Sequence, residues 1–164
     1  MAVYSIKTVQ QLPVPLSQAW EFFSNPANLQ KITPANMGFK TISVHRGEKM
    51  YAGQIIEYTI KPVLGINLYW MTEITQVQDQ EYFIDEQRFG PYRLWHHQHH
   101  FRSIEGGVEM TDIVHYSLPF GILGRIANSI VKKKLIQIFS YRFEKTNELF
   151  GSWPGETANI QIKY

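Results

Sequence analysis

One short stretch of the sequence concentrates side chains that can carry charge, transfer protons or bind a metal. Residues 95–101 read Trp-His-His-Gln-His-His-Phe, with four histidines in five consecutive positions. If this stretch is a strand, alternation sends one set of side chains to a single face, namely Trp95, His97, His99 and Phe101. Because Trp and Phe favour the interior, we expect the imidazoles of His97 and His99 to lie inside the protein.

The next segment adds a carboxylate to the same interior face. Its apolar row runs from Val108 to Leu118 and includes Asp112 and Tyr116. With Gly106-Gly107 as a two-residue hairpin turn, Phe101 stands opposite Asp112, His97 opposite Tyr116, and Asp112 diagonal to His99. An unpaired buried carboxylate costs several kcal/mol, so we expect Asp112 to pair with a histidine, a tyrosine or water.

This cluster suits several kinds of chemistry. A His–Asp pair can act as a general acid and base. Two histidines one residue apart on a strand, with a nearby carboxylate, can instead bind zinc or iron, which makes His97, His99 and Asp112 an alternative metal-dependent site. The same groups can also orient a ligand, or simply satisfy one another in the core. These three residues are therefore the catalytic candidates, while any catalytic role stays unknown and no resident metal or cofactor is predicted.

The elements that must position these residues follow from hydrophobic periodicity. Alternation predicts a strand over Tyr4–Leu12, then two short helices, then six strands between Phe39 and Leu118. From Gly121 to Phe150 the apolar period changes to three and four, as in a long helix. The sequence therefore predicts an α+β fold with a seven-stranded antiparallel sheet wrapped round a long C-terminal helix. A gap between that helix and the sheet is the expected ligand site.

Composition sets the remaining bounds. The 164 residues, 44% hydrophobic and 14% aromatic, suit a single domain at 1–150 followed by a loosely held tail at 151–164. The absence of cysteine excludes disulfides, thiol nucleophiles and cysteine-ligated metals. A net charge of +2 does not indicate a nucleic-acid partner. Neither a membrane-spanning apolar run nor a signal peptide is evident, so we expect a cytoplasmic protein without stable membrane insertion, its oligomeric state open.

At the level of motifs, the chain resembles the SRPBCC superfamily of START domains, birch-pollen allergens and polyketide cyclases, and within it a bacterial subgroup of ligand-binding proteins. The motifs that carry the resemblance are Phe83-x-Asp85-x-Gln87, Gly90-Pro91-Tyr92, Trp95-x-His97-x-His99-x-Phe101, Thr111-Asp112, Tyr116-x-x-Pro119 and Gly121-x-x-Gly124. The resemblance implies a helix-grip fold with a pocket for a hydrophobic molecule between the long helix and the sheet. The inward placement of Asp85 and Gln87 rests on this resemblance, because apolarity does not distinguish the two faces of residues 81–89.

The resulting prediction is a protein that binds a hydrophobic small molecule, such as a lipid, a polyketide or a quinone. The alternatives are a polyketide cyclase- or dehydrase-like enzyme with a His–Asp pair, and the metal-dependent site. We expect a pocket of about 300–1,000 Å³. The predicted ligand-binding residues are Trp70, Phe83, Asp85, Gln87, Trp95, His97, His99, Phe101, Met110, Asp112 and Tyr116.

Overall fold

The computed structural model describes residues 2–43, 49–61, 66–119 and 121–163. The strands are β1 (Tyr4–Leu12), β2 (Lys40–Thr41), β3 (Gln54–Ile60), β4 (Leu68–Gln78), β5 (Tyr82–Phe89), β6 (Leu94–Ile104), β7 (Gly107–Ser117) and β8 (Asn159–Lys163). The α-helices are α1 (Leu16–Phe23) and α2 (Gly121–Phe150), and 3₁₀ helices span Pro26–Ile32 and Ala35–Met37. The order of elements up to α2 agrees with the prediction.

The strands form one antiparallel sheet in the order β2-β3-β4-β5-β6-β7-β1-β8. The predicted count of seven is one strand too few, because the tail that was expected to be loosely held supplies β8. This strand pairs with β1 and places Ile162 opposite Ile6. Ile160 and Ile162 pack against the cluster that contains Ile6, and the pairing covers an edge of β1 that would otherwise expose unpaired backbone groups.

The long helix lies over one part of the sheet rather than all of it. Leu135 and Phe139 of α2 are buried against Tyr4, Val114 and Tyr116 of β1 and β7. As expected, α2 thus buries an apolar stripe against the sheet. Among the described residues, no helix is both long and apolar enough to cross a membrane.

Three helical segments follow β1, where two were predicted, and they also pack against the sheet. Trp20 of α1 meets Phe83 and Phe101 edge-on, with ring centroids 5.9 and 5.4 Å apart. The neighbouring 3₁₀ helix, Pro26–Ile32, begins where the Asn25 side chain accepts a hydrogen bond from the Ala27 backbone N–H. Phe22 and Phe23 of α1 also contact Phe150 at the C-terminal end of α2, with ring centroids 5.0 and 6.2 Å apart, so these helices and α2 meet over the sheet.

The β6–β7 hairpin turns at Glu105 and Gly106, so the register predicted from a Gly106-Gly107 turn is wrong by two residues. His99 stands directly opposite Asp112, and His97 opposite Val114. Gly106 takes the left-handed φ of +82° that the turn requires. Since a shift of two residues keeps every side chain on its face, His97, His99 and Asp112 remain buried, at 4%, 7% and 2% exposure.

Candidate functional site

A cavity of about 190 Å³ lies between α2, the 3₁₀ helices and strands β3 to β6. Most of its lining is apolar or aromatic and includes Phe23, Leu29, Met37, Ile56, Ile60, Ile74, Phe83, Leu135, Ile138 and Phe139. The volume is below the range expected from the sequence. The reason is an aromatic group, Tyr58, Trp70, Tyr92 and Trp95, whose rings contact one another and occupy the sheet side of the gap.

The structure brings some of the predicted binding residues to the cavity and places others behind its wall. Those that line it are Trp70, Phe83, Asp85, Trp95, His97 and His99. Phe101 and Met110 lie in the hydrophobic core. Asp112 lies behind the two histidines, and Tyr116 donates a hydrogen bond to Asn128 Oδ1 at 3.0 Å.

Gln87 has a supporting position rather than a place on the cavity wall. Its Nε2 donates to the Tyr92 carbonyl at 2.6 Å, and the Tyr92 N–H donates to its Oε1 at 3.2 Å. These two bonds hold the chain segment that brings the Tyr92 ring against Trp70 and Trp95. Tyr92, which lines the cavity, was absent from the predicted set.

The polar side of the cavity is a compact cluster of two carboxylates and two imidazoles on adjacent strands. Asp85 on β5 stands opposite His97 on β6, and His99 stands opposite Asp112 on β7. Asp85 Oδ2 lies 3.0 Å from His99 Nε2 and 3.4 Å from His97 Nδ1. Asp112 Oδ1 lies 3.0 Å from His97 Nε2 and 2.7 Å from His99 Nδ1. Each imidazole is therefore held between the same two carboxylates.

Two of these contacts are aligned hydrogen bonds, His97 Nε2 with Asp112 and His99 Nε2 with Asp85. The short contact between His99 Nδ1 and Asp112 lacks the direction of a hydrogen bond, so we interpret it as an electrostatic contact. The expectation that a histidine would pair with Asp112 is confirmed.

Arg142 of α2 completes the cluster from the helix side. Its guanidinium NH1 lies 3.5 Å from Asp112 Oδ1, its side chain is buried, and it lines the cavity. Arg142 was not among the predicted site residues, although its place late in the helix allowed either an extension to solvent or a pairing with an interior acid, and the structure shows the pairing. The available signal was helical spacing, since Arg142 follows the inward-facing residues Leu135 and Phe139 by seven and three positions.

The buried carboxylates and imidazoles of the cluster shift one another's pKa values. Burial raises the pKa of Asp112, but the cations His99 and Arg142 outweigh it and hold the pKa well below its usual range. Burial likewise raises the pKa of Asp85. The attraction between this carboxylate and His97 and its hydrogen bond with His99 outweigh that effect, so the pKa lies below its usual value. Burial and the neighbouring His99 lower the pKa of His97, whereas Asp112 raises the pKa of His99 against the effect of burial. Two carboxylates thus face the Arg142 guanidinium and two imidazoles whose pKa values shift in opposite directions.

The described residues include a group that could hold a metal ion and that differs from the predicted set in its carboxylate. Asp85, His97 and His99 each offer one ligand atom, and these atoms lie within 4.8 Å of one another. Asp112, the carboxylate of the predicted set, contacts the other nitrogen of each ring. The two carboxylates therefore lie on opposite sides of the imidazole pair.

The cavity wall also carries buried donors that have no partner among the described residues. The indole Nε1 of Trp70 is one, on a side chain that is 5% exposed, and the Nε of Arg142 is another. A buried donor without an acceptor costs about 1–3 kcal/mol.

Comparison with known proteins defines the fold. No family model matches the chain, and no curated protein matches it. It is similar to the crystal structure of Ms6760 from Mycobacterium smegmatis, with a TM-score of 0.64 and 14% sequence identity over 88% of this chain and 89% of that one. It is also similar to the crystal structure of CV1439 from Chromobacterium violaceum, with a TM-score of 0.65 and 13% identity over 91% of this chain and 98% of that one. Ara h 8.0201, a protein of the birch-pollen-allergen-like class, aligns with a TM-score of 0.58 and 15% sequence identity over 90% of this chain and 99% of that one. The chain thus shares with them a fold that is consistent with the helix-grip architecture.

Proposed function

We propose that this chain is a member of the SRPBCC superfamily and that it binds a small, mostly apolar organic molecule in the cavity between α2 and the sheet. The observation that supports the proposal is the cavity itself. Its lining is mainly apolar and aromatic, and Asp85, His97, His99 and Arg142 lie together on one side. This is the usual composition of a small-molecule site, in which a few polar groups orient an otherwise apolar ligand.

The volume favours a ligand with one ring. A cavity of about 150 Å³ is large enough to hold benzene, and the cavity here measures about 190 Å³. The space therefore suits a single ring with a few small substituents. Among the ligand classes expected from the sequence, a monocyclic quinone or phenol fits, whereas an intact lipid or a polyketide of several fused rings exceeds the space.

The polar groups indicate where the substituents of such a ring would lie. The indole N–H of Trp70 is buried and has no acceptor among the described residues, and we propose that the ring turns so that a carbonyl or hydroxyl oxygen of the ligand accepts its hydrogen bond. Asp85 and the two histidines offer hydrogen-bonding groups to a second polar substituent. We therefore propose an oxygen-substituted ring whose apolar edge packs against residues such as Leu135 and Ile138.

Calorimetric titration with a panel of single-ring phenols, benzoates and quinones, with palmitate as the oversized comparator, tests this proposal. We expect at least one ring compound to bind and palmitate to bind more weakly. Ile138 lines the cavity, so Ile138→Trp should fill it and weaken binding at least about tenfold, or about 1.4 kcal/mol. His97→Ala and His99→Ala should weaken the binding of those ring compounds whose polar groups they contact.

The matched control is Ile130→Trp, because Ile130 lies on the same helix and is 59% exposed. It should bind the panel as the wild type does. His100→Ala is the corresponding control for the histidines, since the His100 side chain contacts Tyr82 and Gln98 rather than the cavity. Equal binding by the Ile138→Trp and Ile130→Trp variants, or no binding of any ring compound by the wild type, would contradict the proposal.

A second function, cyclisation or dehydration of a β-keto compound, is favoured by one observation. Both imidazoles line the cavity, and each contacts two carboxylates, an arrangement that suits the removal of a proton next to a carbonyl group. Incubation with a poly-β-keto thioester, followed by mass spectrometry, should then show loss of one water per intramolecular aldol condensation, in which the α-carbon attacks a second carbonyl and the new hydroxyl leaves as water. His97→Gln should abolish this loss, whereas His100→Gln should not. Unchanged substrate with the wild type would reject this function and leave ligand binding intact.

A further inference from the structure

We infer that Asp85, His97 and His99 form a binding site for a divalent first-row transition ion at the polar side of the cavity. The three side chains come from two adjacent strands and lie on one face of the sheet. Two histidines with one carboxylate are a common ligand set for zinc and for non-haem iron. The inference is independent of the organic ligand, because the ion needs these side chains alone.

The distances between the ligand atoms fit such an ion. When metal–ligand bonds measure about 2.0–2.1 Å, neighbouring ligand atoms lie about 2.9 Å apart in an octahedral site and about 3.4 Å apart in a tetrahedral one. Asp85 Oδ2 lies 3.0 Å from His99 Nε2 and 3.4 Å from His97 Nδ1. A small displacement of these side chains would therefore place an ion in contact with all three atoms.

Asp112 gives the site the outer support that metal-binding histidines usually have. A histidine ligand commonly donates its second ring N–H to a carboxylate, which fixes the ring and its tautomer. His97 Nε2 makes this bond with Asp112 Oδ1 at 3.0 Å, which leaves Nδ1 with its lone pair on the side of Asp85. His99 differs, because its Nε2 shares a hydrogen bond with Asp85 at 3.0 Å while its Nδ1 faces the same Asp112 oxygen at 2.7 Å. Binding of the ion through Nε2 therefore releases the proton of that hydrogen bond.

The positive charge of Arg142, which lines the cavity, opposes the binding of a cation here, but its nearest carboxylate is Asp112. Its NH1 contacts Asp112 rather than Asp85, so the metal ligand and the arginine partner are different carboxylates. The three proposed ligands all line the cavity. Three protein ligands leave at least one coordination position free, and that position can face the cavity.

Titration of tag-free protein with Zn²⁺, followed by calorimetry and by metal analysis after dialysis, tests the inference. We expect one ion per chain and a loss of affinity of at least about 100-fold in Asp85→Asn. Asp112→Asn should lose about 10–100-fold, as expected for a residue that positions a ligand. Glu86→Gln is the matched control, because Glu86 follows Asp85 and holds His96 at 2.8 Å on the other face of the sheet.

A measurement on the wild type alone covers the case in which a variant fails to fold. Zn²⁺ should shift the ring resonances of His97 and His99 in NMR spectra and leave those of His96 and His100 in place. Failure of the wild type to bind Zn²⁺ stoichiometrically, or equal affinity in Asp85→Asn and Glu86→Gln, would overturn the inference. Neither result bears on binding of the ring compounds, which is measured without metal.

Discussion

Removing the carboxylate of Asp112 should destabilise the fold more than removing any exposed carboxylate. Asp112 is 2% exposed and contacts His97, His99 and Arg142. Asp112→Ala leaves the Arg142 guanidinium buried without its carboxylate and also removes an aligned hydrogen bond from His97. Breaking a buried ion pair by deleting one partner costs about 3–5 kcal/mol, and we expect a loss of this size in the free energy of unfolding.

Urea denaturation followed by circular dichroism measures this loss, and thermal melting should show a fall of about 6–20 °C. Glu109→Ala is the control, since Glu109 lies on the same strand and pairs with Arg102, which is 70% exposed. A surface pair contributes at most about 1 kcal/mol. If Asp112→Ala costs no more than Glu109→Ala, the reasoning that the buried charges hold one another in place is wrong.

Three further predictions concern the elements that frame the cavity. Gly107→Ala should cost about 1–3 kcal/mol in urea denaturation, because an added Cβ would lie 2.1 Å from the Leu12 carbonyl oxygen; an unchanged midpoint would contradict the close strand packing. Thr146→Val should also cost about 1–3 kcal/mol, because the buried hydroxyl donates to Gln10 Oε1 at 2.8 Å; a stable variant would mean that Gln10 finds another donor. Deleting residues 158–164 removes β8, and hydrogen exchange of the β1 amides that face it should accelerate at least about tenfold; unchanged exchange would show that β8 does not protect them.

Strand faces were predictable from the sequence, whereas strand register was not. Alternation has a period of two, so Trp95, His97 and His99 could be assigned to the interior without knowledge of the turn. The register depends on which two residues form the turn. A turn at Glu105-Gly106 lies one position before a turn at Gly106-Gly107, and this difference shifts the pairing of the two strands by two residues. In the structure Gly107 belongs to β7 and pairs with Ile104, an outcome that arises from the assembled hairpin rather than from residue type alone.

Asp85 and Arg142 show why the complete cluster could not be predicted. The faces of β5 could not be distinguished by apolarity, and in the structure Phe83 and Ile84, two successive residues, are both buried beside irregular pairing of β4 with β5. Arg142 reaches the cluster from a helix about thirty residues beyond Asp112, at an angle set by packing of the whole of α2. Contacts of this kind depend on tertiary packing, which local periodicity does not encode.

The tryptophan indoles offer the most direct test of the proposed binding cavity. Trp70 and Trp95 line the cavity, whereas Trp20 lies in the core and Trp153 beside the β6–β7 turn. In ¹H–¹⁵N spectra of the wild-type protein, a binding phenol or quinone should shift the indole resonances of Trp70 and Trp95 and leave that of Trp153 in place. If a compound binds stoichiometrically while the Trp70 and Trp95 resonances stay fixed, the ligand occupies another site and the cavity is not where this protein binds it.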